Sequence, residues 1–118
     1  MKKKNTKLYS RKFRKVQKMD GSMSKGYIVC VYENIQDQDA LKNYAIKAKV
    51  AVDKYQGKFL IRGGKKIATE GKDFVRTVVI EFSSFKKAKD FFYSSEYQDA
   101  HKLLNNFVIR NHQIIEGN

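Results

Sequence analysis

Two strand-like runs of this sequence, GYIVCVYENI and VRTVVIEF, carry apolar residues at odd and even positions alike. Successive side chains of a strand point to opposite faces, so a solvated face appears in sequence as alternating polar positions. Here one face would hold Ile28, Cys30, Tyr32, Val78, Ile80 and Phe82, and the other Tyr27, Val29, Val31, Val75, Thr77 and Val79. The pattern predicts a sheet covered on both faces; the alternative is strand propensity alone, with some valines exposed.

The segments around these runs predict the element order βαββαβ. DQDALKNYAIKAKVAVDKYQG has an apolar stripe at helical spacing, with Asp37 or Asp39 available to cap its start and Gly57 after its end. KFLIRGGKKIATE and FVRTVVIEF, joined by a turn over EGKD, indicate a hairpin. FVIRNHQIIEG closes the chain as a strand. This order is that of a ferredoxin-like α+β sandwich.

The segment SFKKAKDFFYSSEYQDAHKLLNNF is helical in pattern but contains a serine pair. Ser95 and Gln98 have capping-box spacing, so we expect two short helices, or one helix broken there. These helices and the first one can cover only one face of the sheet. The economical cover for the other face is a second copy of the chain, in a C₂ homodimer that packs sheet against sheet.

Charge divides the chain into a basic extension, residues 1–22, and a domain, residues 23–118. The first holds nine Lys/Arg and one acid, a net +8, and the second sixteen Lys/Arg and eleven acids, a net +5. Residues 1–22 lack the apolar core of a secretory signal. We expect a disordered basic tail or a junction sequence ahead of Met23; the alternative is a short amphipathic helix on nucleic acid or an acidic membrane surface.

The residue composition and the motifs that the sequence lacks limit the kinds of protein this chain can be. No apolar run is long enough to span a bilayer. The single cysteine, Cys30, excludes an intrachain disulfide and favours a reducing, cytoplasmic location. Cys30 and two separated histidines form no metal-ligand cluster, and the sequence has no phosphate loop, dinucleotide fingerprint or serine elbow. We therefore expect no metal and no cofactor.

Four polar residues interrupt the predicted strands. Arg62 alternates with Leu60 on the face opposite Phe59 and Ile61, while Glu81, Glu33 and His112 lie in or beside the other runs. Unpaired buried charges are costly, so we expect these four residues to converge on the open face of the sheet or its rim. There they could bind an anionic or carbonyl-bearing molecule, and His112 or a carboxylate could move a proton. The simpler alternative is an inter-subunit ion pair of Arg62 with Glu81 and a surface histidine.

The glycine pair Gly63 and Gly64 directly follows Arg62. Two glycines at a strand end allow a β-bulge or a close approach of another backbone, and a bulge re-aims its neighbours. The pair therefore predicts that Arg62 is turned toward a pocket, unless it serves only to bend the strand.

The run RTVVIEFSSFKKAKDFF resembles the third strand of an RNA-recognition motif in its pattern of aromatic and acidic residues. That module stacks bases on exposed aromatic residues of this strand. The outward residues here are Thr77 and Val79, which cannot stack. We expect no nucleic-acid binding except nonspecifically through residues 1–22.

The motifs YQGKFLIRGG, VVIEFSS and FFYSSEYQ resemble the family called domain of unknown function 1330, over about residues 25–117. The resemblance implies a dimeric α/β barrel, in which two ferredoxin-like subunits join sheets around a cavity. The wider superfamily includes cofactor-independent monooxygenases, isomerases, degradative enzymes and haem-binding branches, so the fold does not select a reaction. The family pattern falls on Arg62, Gly63, Gly64, Glu70, Glu81, Tyr93, Ser95, Tyr97 and Glu116.

The resulting hypothesis is a homodimer that binds, and can transform, a small organic molecule. Arg62 would anchor an anionic or carbonyl group, Glu81 would orient Arg62 or act as a base, and His112 would move a proton. The candidate ligand-binding residues are Glu33, Tyr44, Gly63, Gly64, Glu70, Tyr93 and Tyr97. The alternative is a non-catalytic interaction module whose basic tail contacts nucleic acid or another acidic partner.

Overall fold

The structure, a computed structural model, describes residues 24–118 and confirms the predicted α+β class and ferredoxin-like order. The elements are β1 (Gly26–Ile35), α1 (Gln38–Lys54), β2 (Lys58–Arg62), β3 (Arg76–Phe82), α2 (Phe85–Phe92), α3 (Ser95–His101) and β4 (Val108–Glu116). The predictions for residues 1–22 lie outside the described residues. Within the described part of the chain, no helix has both the length and the apolar composition required to cross a membrane.

The four strands form one antiparallel sheet in the order β2-β3-β1-β4. In β1, Ile28 pairs with Ile80 of β3 on one side and with Ile114 of β4 on the other. This row faces the helices, and Ile28 is buried. The alternate row of β1, which contains Val29 and Val31, is only partly buried and lies on the outer face.

Helix boundaries follow local capping. Asp37 caps α1, since its Oδ1 accepts hydrogen bonds from the backbone N–H groups of Asp39 and Ala40. The predicted interruption of the second helical region is present, but Ser94 rather than Ser95 caps α3. The Oγ of Ser94 accepts a 3.1 Å hydrogen bond from the backbone N–H of Tyr97 and donates a 2.7 Å bond to the carbonyl of Phe91.

The core between helices and sheet is built largely of aromatic rings. Phe91 lies 5.0 Å from Phe82 and 4.7 Å from Tyr97 between ring centroids. Val52 of α1 and Ala88 of α2 are fully buried against the same cluster. These contacts join α2, α3 and the sheet, and they fix the position of Tyr97 below α1.

The predicted hairpin differs from the structure in two respects. The strand β2 ends at Arg62, and residues 63–75 form a loop, because Gly63 and Gly64 adopt φ values of +72° and +95°. In addition, the register shifts between Phe59 and Ile61, so Arg62 pairs with Val78 and lies on the same face as Phe59. The prediction that Arg62 opposes Phe59 was therefore wrong, since a bulge inserts one residue and reverses the alternation after it.

Candidate ligand-binding site

A cavity of about 40 Å³ lies between α1 and the helix-facing side of the sheet. The backbone of α1 packs mainly against α3, and α1 reaches the strands chiefly through side chains. The walls include Ile28, Ala48, Val52 and Ile80, so most of the lining is apolar. Since one water molecule needs roughly 10–15 Å³ of such a cavity, the space is small and suits a ligand with few atoms.

The guanidinium of Arg110, on β4, is the central polar group of this cavity. Its Nη1 donates hydrogen bonds to the hydroxyl oxygens of Tyr32 at 2.9 Å and Tyr44 at 3.4 Å, and makes a 3.8 Å contact with the Sγ of Cys30. Its Nη2 donates to the hydroxyl of Tyr97 at 3.5 Å. The partners of Arg110 are therefore three phenols and a thiol.

The phenols are linked to a histidine. The hydroxyl of Tyr44 lies 2.8 Å from that of Tyr97, which lies 3.3 Å from the Nε2 of His112. A phenol can donate one hydrogen bond and accept others. Tyr97 can thus donate to an unprotonated Nε2 while accepting from Tyr44 and Arg110, which gives a continuous network across the cavity wall.

Burial determines the charge of each group in the network. Burial, together with the charges of Arg110 and His101, lowers the pKa of His112 to about 3. Burial likewise raises the pKa values of Tyr32, Tyr97 and Cys30 above their usual values. At neutral pH Tyr32, Tyr97, Cys30 and His112 are therefore uncharged, and Arg110 is the cation of the network.

Two further arginines line the same cavity. Arg62 stacks over the ring of Phe59, with its Cζ 4.2 Å from the ring centroid. Arg76 has a buried Nε without a hydrogen-bond partner, and its Nη1 packs against Gly63, where a Cβ would lie only 2.5 Å from it. Within residues 24–118, no carboxylate pairs with Arg62, Arg76 or Arg110.

Four of the predicted site residues meet at this cavity, and they are Arg62, Tyr44, Tyr97 and His112. Gly63 touches the site through Arg76, whereas a Cβ at Gly64 would have no atom within 4 Å. Tyr93 is 71% exposed and packs on Phe92 outside the cavity. Glu70 is exposed on the loop over residues 63–75.

The predicted convergence of Arg62, Glu81, Glu33 and His112 on the open face does not occur. Glu81 lies on the outer face, where it accepts a 3.1 Å hydrogen bond from the hydroxyl of Tyr27, and Glu33 pairs with Lys72. Arg62 and His112 lie on the helix-facing side. The sheet separates Arg62 and His112 from Glu81 and Glu33 within one chain, and the inter-subunit ion pair of Arg62 with Glu81 stays a prediction.

Sequence reasoning missed Arg110, Arg76 and Tyr32 as site residues. A usable signal existed, since Arg110 and His112 are two residues apart in one strand and so share a face. The pairing of Tyr32 with both Arg76 and Arg110 is a property of the sheet register, which the sequence does not display. Among the described residues, no three His, Cys, Asp or Glu side chains are grouped so as to hold a metal ion.

Several solved structures share this fold. A protein of unknown function, RPA0582 from Rhodopseudomonas palustris, has a TM-score of 0.62 at 10% identity and covers 89% of both chains. A dimeric protein of unknown function with a ferredoxin-like fold, from Bacteroides fragilis, has a TM-score of 0.56 at 13% identity, over 78% of this chain and 95% of its own. An ethyl tert-butyl ether D (EthD) family protein from Bacillus halodurans has a TM-score of 0.52 at 13% identity, over 77% and 96%.

At such identities these likenesses show the fold alone. No curated protein sequence matches the chain. The family description "Domain of unknown function (DUF1330)" matches residues 25–118, nearly the whole part of the chain that the structure describes. The chain therefore belongs to the DUF1330 family, as its strand, glycine and serine motifs predict.

Proposed function

We propose that this protein binds a small organic anion in the cavity between α1 and the sheet, with Arg110 as the main anchor. The observation that carries the proposal is a largely buried guanidinium whose hydrogen-bond partners are tyrosine hydroxyls and include no carboxylate. A buried cation without a counter-charge is unfavourable, and a bound carboxylate or enolate would supply that charge. Guanidinium groups also match the planar geometry of a carboxylate.

The remaining walls define the kind of anion. Apolar side chains from α1 and the sheet would surround the carbon skeleton, while the guanidinium of Arg110 would donate hydrogen bonds to a ligand oxygen. The cavity volume of about 40 Å³ favours a ligand with few atoms. A small, partly apolar organic acid satisfies all three conditions.

The protonation state of His112 favours binding over proton transfer. A general base works best when its pKa is near the ambient pH. With a pKa lowered to about 3, His112 is a poor base at neutral pH and serves as a hydrogen-bond acceptor for Tyr97. Glu81, the other predicted base, lies on the opposite face of the sheet.

Isothermal titration with acetate, butyrate and benzoate at constant ionic strength tests the binding proposal. Arg110→Gln should lower the affinity for the best of these ligands at least tenfold, since a charge-assisted hydrogen bond contributes about 1.5–3 kcal/mol. The matched control is Lys47→Gln, which removes the same charge from the exposed side of α1. Equal affinity in Arg110→Gln and Lys47→Gln, or no binding by the unchanged protein, would contradict the proposal.

We also propose that the protein is a homodimer joined through the outer face of the sheet. Val79 of β3 lies at the centre of this face between Val29 and Ile61, and Ile61 and Ile115 are 46% and 40% exposed. This apolar patch is bordered by polar residues, since Gln113 and Asn111 of β4 pair with Val29 and Val31, and a patch of this kind marks an interface more often than a solvated surface. The fold similarity to a protein described as dimeric supports the same arrangement.

Cys30, buried with a free thiol, supports a reducing, cytoplasmic location.

Native mass spectrometry tests the dimer. Val79→Lys places a charge in the middle of the outer face and should shift the protein to the monomer. Val50→Lys makes the same change on α1, where Val50 is 65% exposed, and should leave the dimer intact. A monomeric unchanged protein would refute the proposed interface.

A further inference from the structure

Two separate cationic centres flank Tyr32 on the helix-facing side of the sheet. Tyr32 pairs with Arg76 of β3 on one side and with Arg110 of β4 on the other. Paired Cα atoms of antiparallel strands are roughly 5 Å apart, so the two arginine Cα atoms are about 10 Å apart. Arg62 of β2 pairs with Val78, two residues along β3 from Arg76, and stands at the same end of the cavity as Arg76.

The two centres have different surroundings. Arg110 is held by the hydroxyls of Tyr32, Tyr44 and Tyr97, which orient its guanidinium. Arg76 instead has a buried Nε without any partner and packs against the backbone of Gly63. An unsatisfied buried donor calls for an explanation, and a ligand acceptor is one.

Neither centre has a counter-charge among the described residues, although both line one cavity. A ligand with one acidic group at Arg110 would leave the charge of Arg76 unbalanced and its Nε unpaired. A ligand with an acidic group at each end would balance both charges and supply both sets of acceptors. The spacing across three neighbouring strands suits a short, linear skeleton.

We infer that the ligand is a small dicarboxylate, bound with one carboxylate at Arg110 and the other at Arg76 and Arg62. The inference rests on the proposed anion-binding function and adds the class of ligand. The loop over residues 63–75 contributes through Gly63 alone, because the absence of a side chain there lets the guanidinium of Arg76 occupy its place. The apolar side chains that line the cavity would contact the methylene carbons.

Matched pairs of acids test the inference in the unchanged protein. Isothermal titration at constant ionic strength compares succinate with butyrate and glutarate with valerate, since each pair differs by one carboxylate. Malonate and adipate complete the length series, and 2-phosphoglycolate tests whether a phosphate can replace one carboxylate. We expect one dicarboxylate to bind at least tenfold more tightly than its monocarboxylate partner.

Variants then locate the second carboxylate. For each matched pair, the ratio of the dicarboxylate affinity to the monocarboxylate affinity should fall toward one in Arg76→Gln. Lys47→Gln should keep the ratio of the unchanged protein. Gly63→Ala displaces the guanidinium of Arg76 and should lower the ratio as well, which provides a second variant if Arg76→Gln folds poorly. Far-ultraviolet circular dichroism and thermal unfolding check that each variant is folded.

The possible results separate the two proposals. Monocarboxylates and dicarboxylates binding with equal affinity would overturn the dicarboxylate inference and leave anion binding intact. Absence of binding for every acid would overturn both. Preference for 2-phosphoglycolate over every dicarboxylate would overturn the assignment of a dicarboxylate in favour of a phosphorylated acid. A ratio unchanged in both Arg76→Gln and Gly63→Ala would remove Arg76 from the site.

Discussion

His112 should make the stability of this protein depend on pH between neutral and mildly acidic conditions. The pKa of His112 falls from 6.5 to about 3 on folding, because burial and the charges of Arg110 and His101 disfavour the imidazolium. A group with a lowered pKa in the folded state contributes its full stability above the unfolded pKa. That contribution is lost as the pH falls from about 6.5 toward 3, since the unfolded chain then binds a proton that the folded protein excludes.

The size of the effect follows from the pKa difference. Each unit corresponds to about 1.4 kcal/mol, so lowering the pH from 7 to 5 should reduce the free energy of unfolding by about 2 kcal/mol through His112 alone. The comparison uses no pH below 5, because carboxylates begin to titrate there and would add their own pH dependence. With a urea m-value of roughly 1–3 kcal/mol/M, the midpoint of unfolding should move by about 1 M.

Urea unfolding at pH 7 and pH 5, followed by circular dichroism, measures this change. His112→Gln is the test variant, because its amide oxygen can accept the hydrogen bond of Tyr97 and has no charge at either pH. The pKa of His101 is also lowered by burial and the charge of Arg110, so the unchanged protein and the variant share that contribution. The difference between them therefore isolates His112.

Between pH 7 and pH 5, the free energy of unfolding of His112→Gln should fall by about 2 kcal/mol less than that of the unchanged protein. His101→Gln, the matched control, should retain most of the pH dependence. Equal losses in the unchanged protein and in His112→Gln would show that His112 titrates normally in the folded state. The assignment of His112 as an uncharged hydrogen-bond acceptor for Tyr97 would then be wrong, and with it the conclusion that His112 is a poor base.

Two further predictions concern the backbone around the site. Gly63→Ala and Gly64→Ala should each destabilise the protein by about 1–2 kcal/mol in urea unfolding, because both positions have positive φ. Only Gly63→Ala should also weaken acid binding, since only Gly63 contacts Arg76, and equal binding losses would contradict this. Ser94→Ala should cost about 1–2 kcal/mol by removing the cap of α3. Ser95 is exposed, so Ser95→Ala should change the free energy of unfolding little. A larger loss in Ser95→Ala than in Ser94→Ala would assign the cap to Ser95.

Part of the candidate site was predictable from residue type and spacing. Tyr44 lies in the apolar stripe of α1, so its position facing the sheet was predictable. His112 was identified as a candidate but assigned to the open face, because its spacing from Arg110 shows only that the two residues share a face. Arg62 was identified as a candidate from the Arg-Gly-Gly sequence, but its face was predicted wrongly. The bulge at Leu60 that reverses its direction has no glycine and no other local signal.

The order of the elements, the two apolar rows of each central strand and the family can be read from the amino-acid sequence, because they depend on local periodicity and short motifs. Tertiary structure alone decided that Tyr32 stands between Arg76 and Arg110, and that Glu81 is separated from Arg62 by the thickness of the sheet. These relations depend on strand register between segments far apart in the chain. A shift of one residue reverses them, and no local pattern records it.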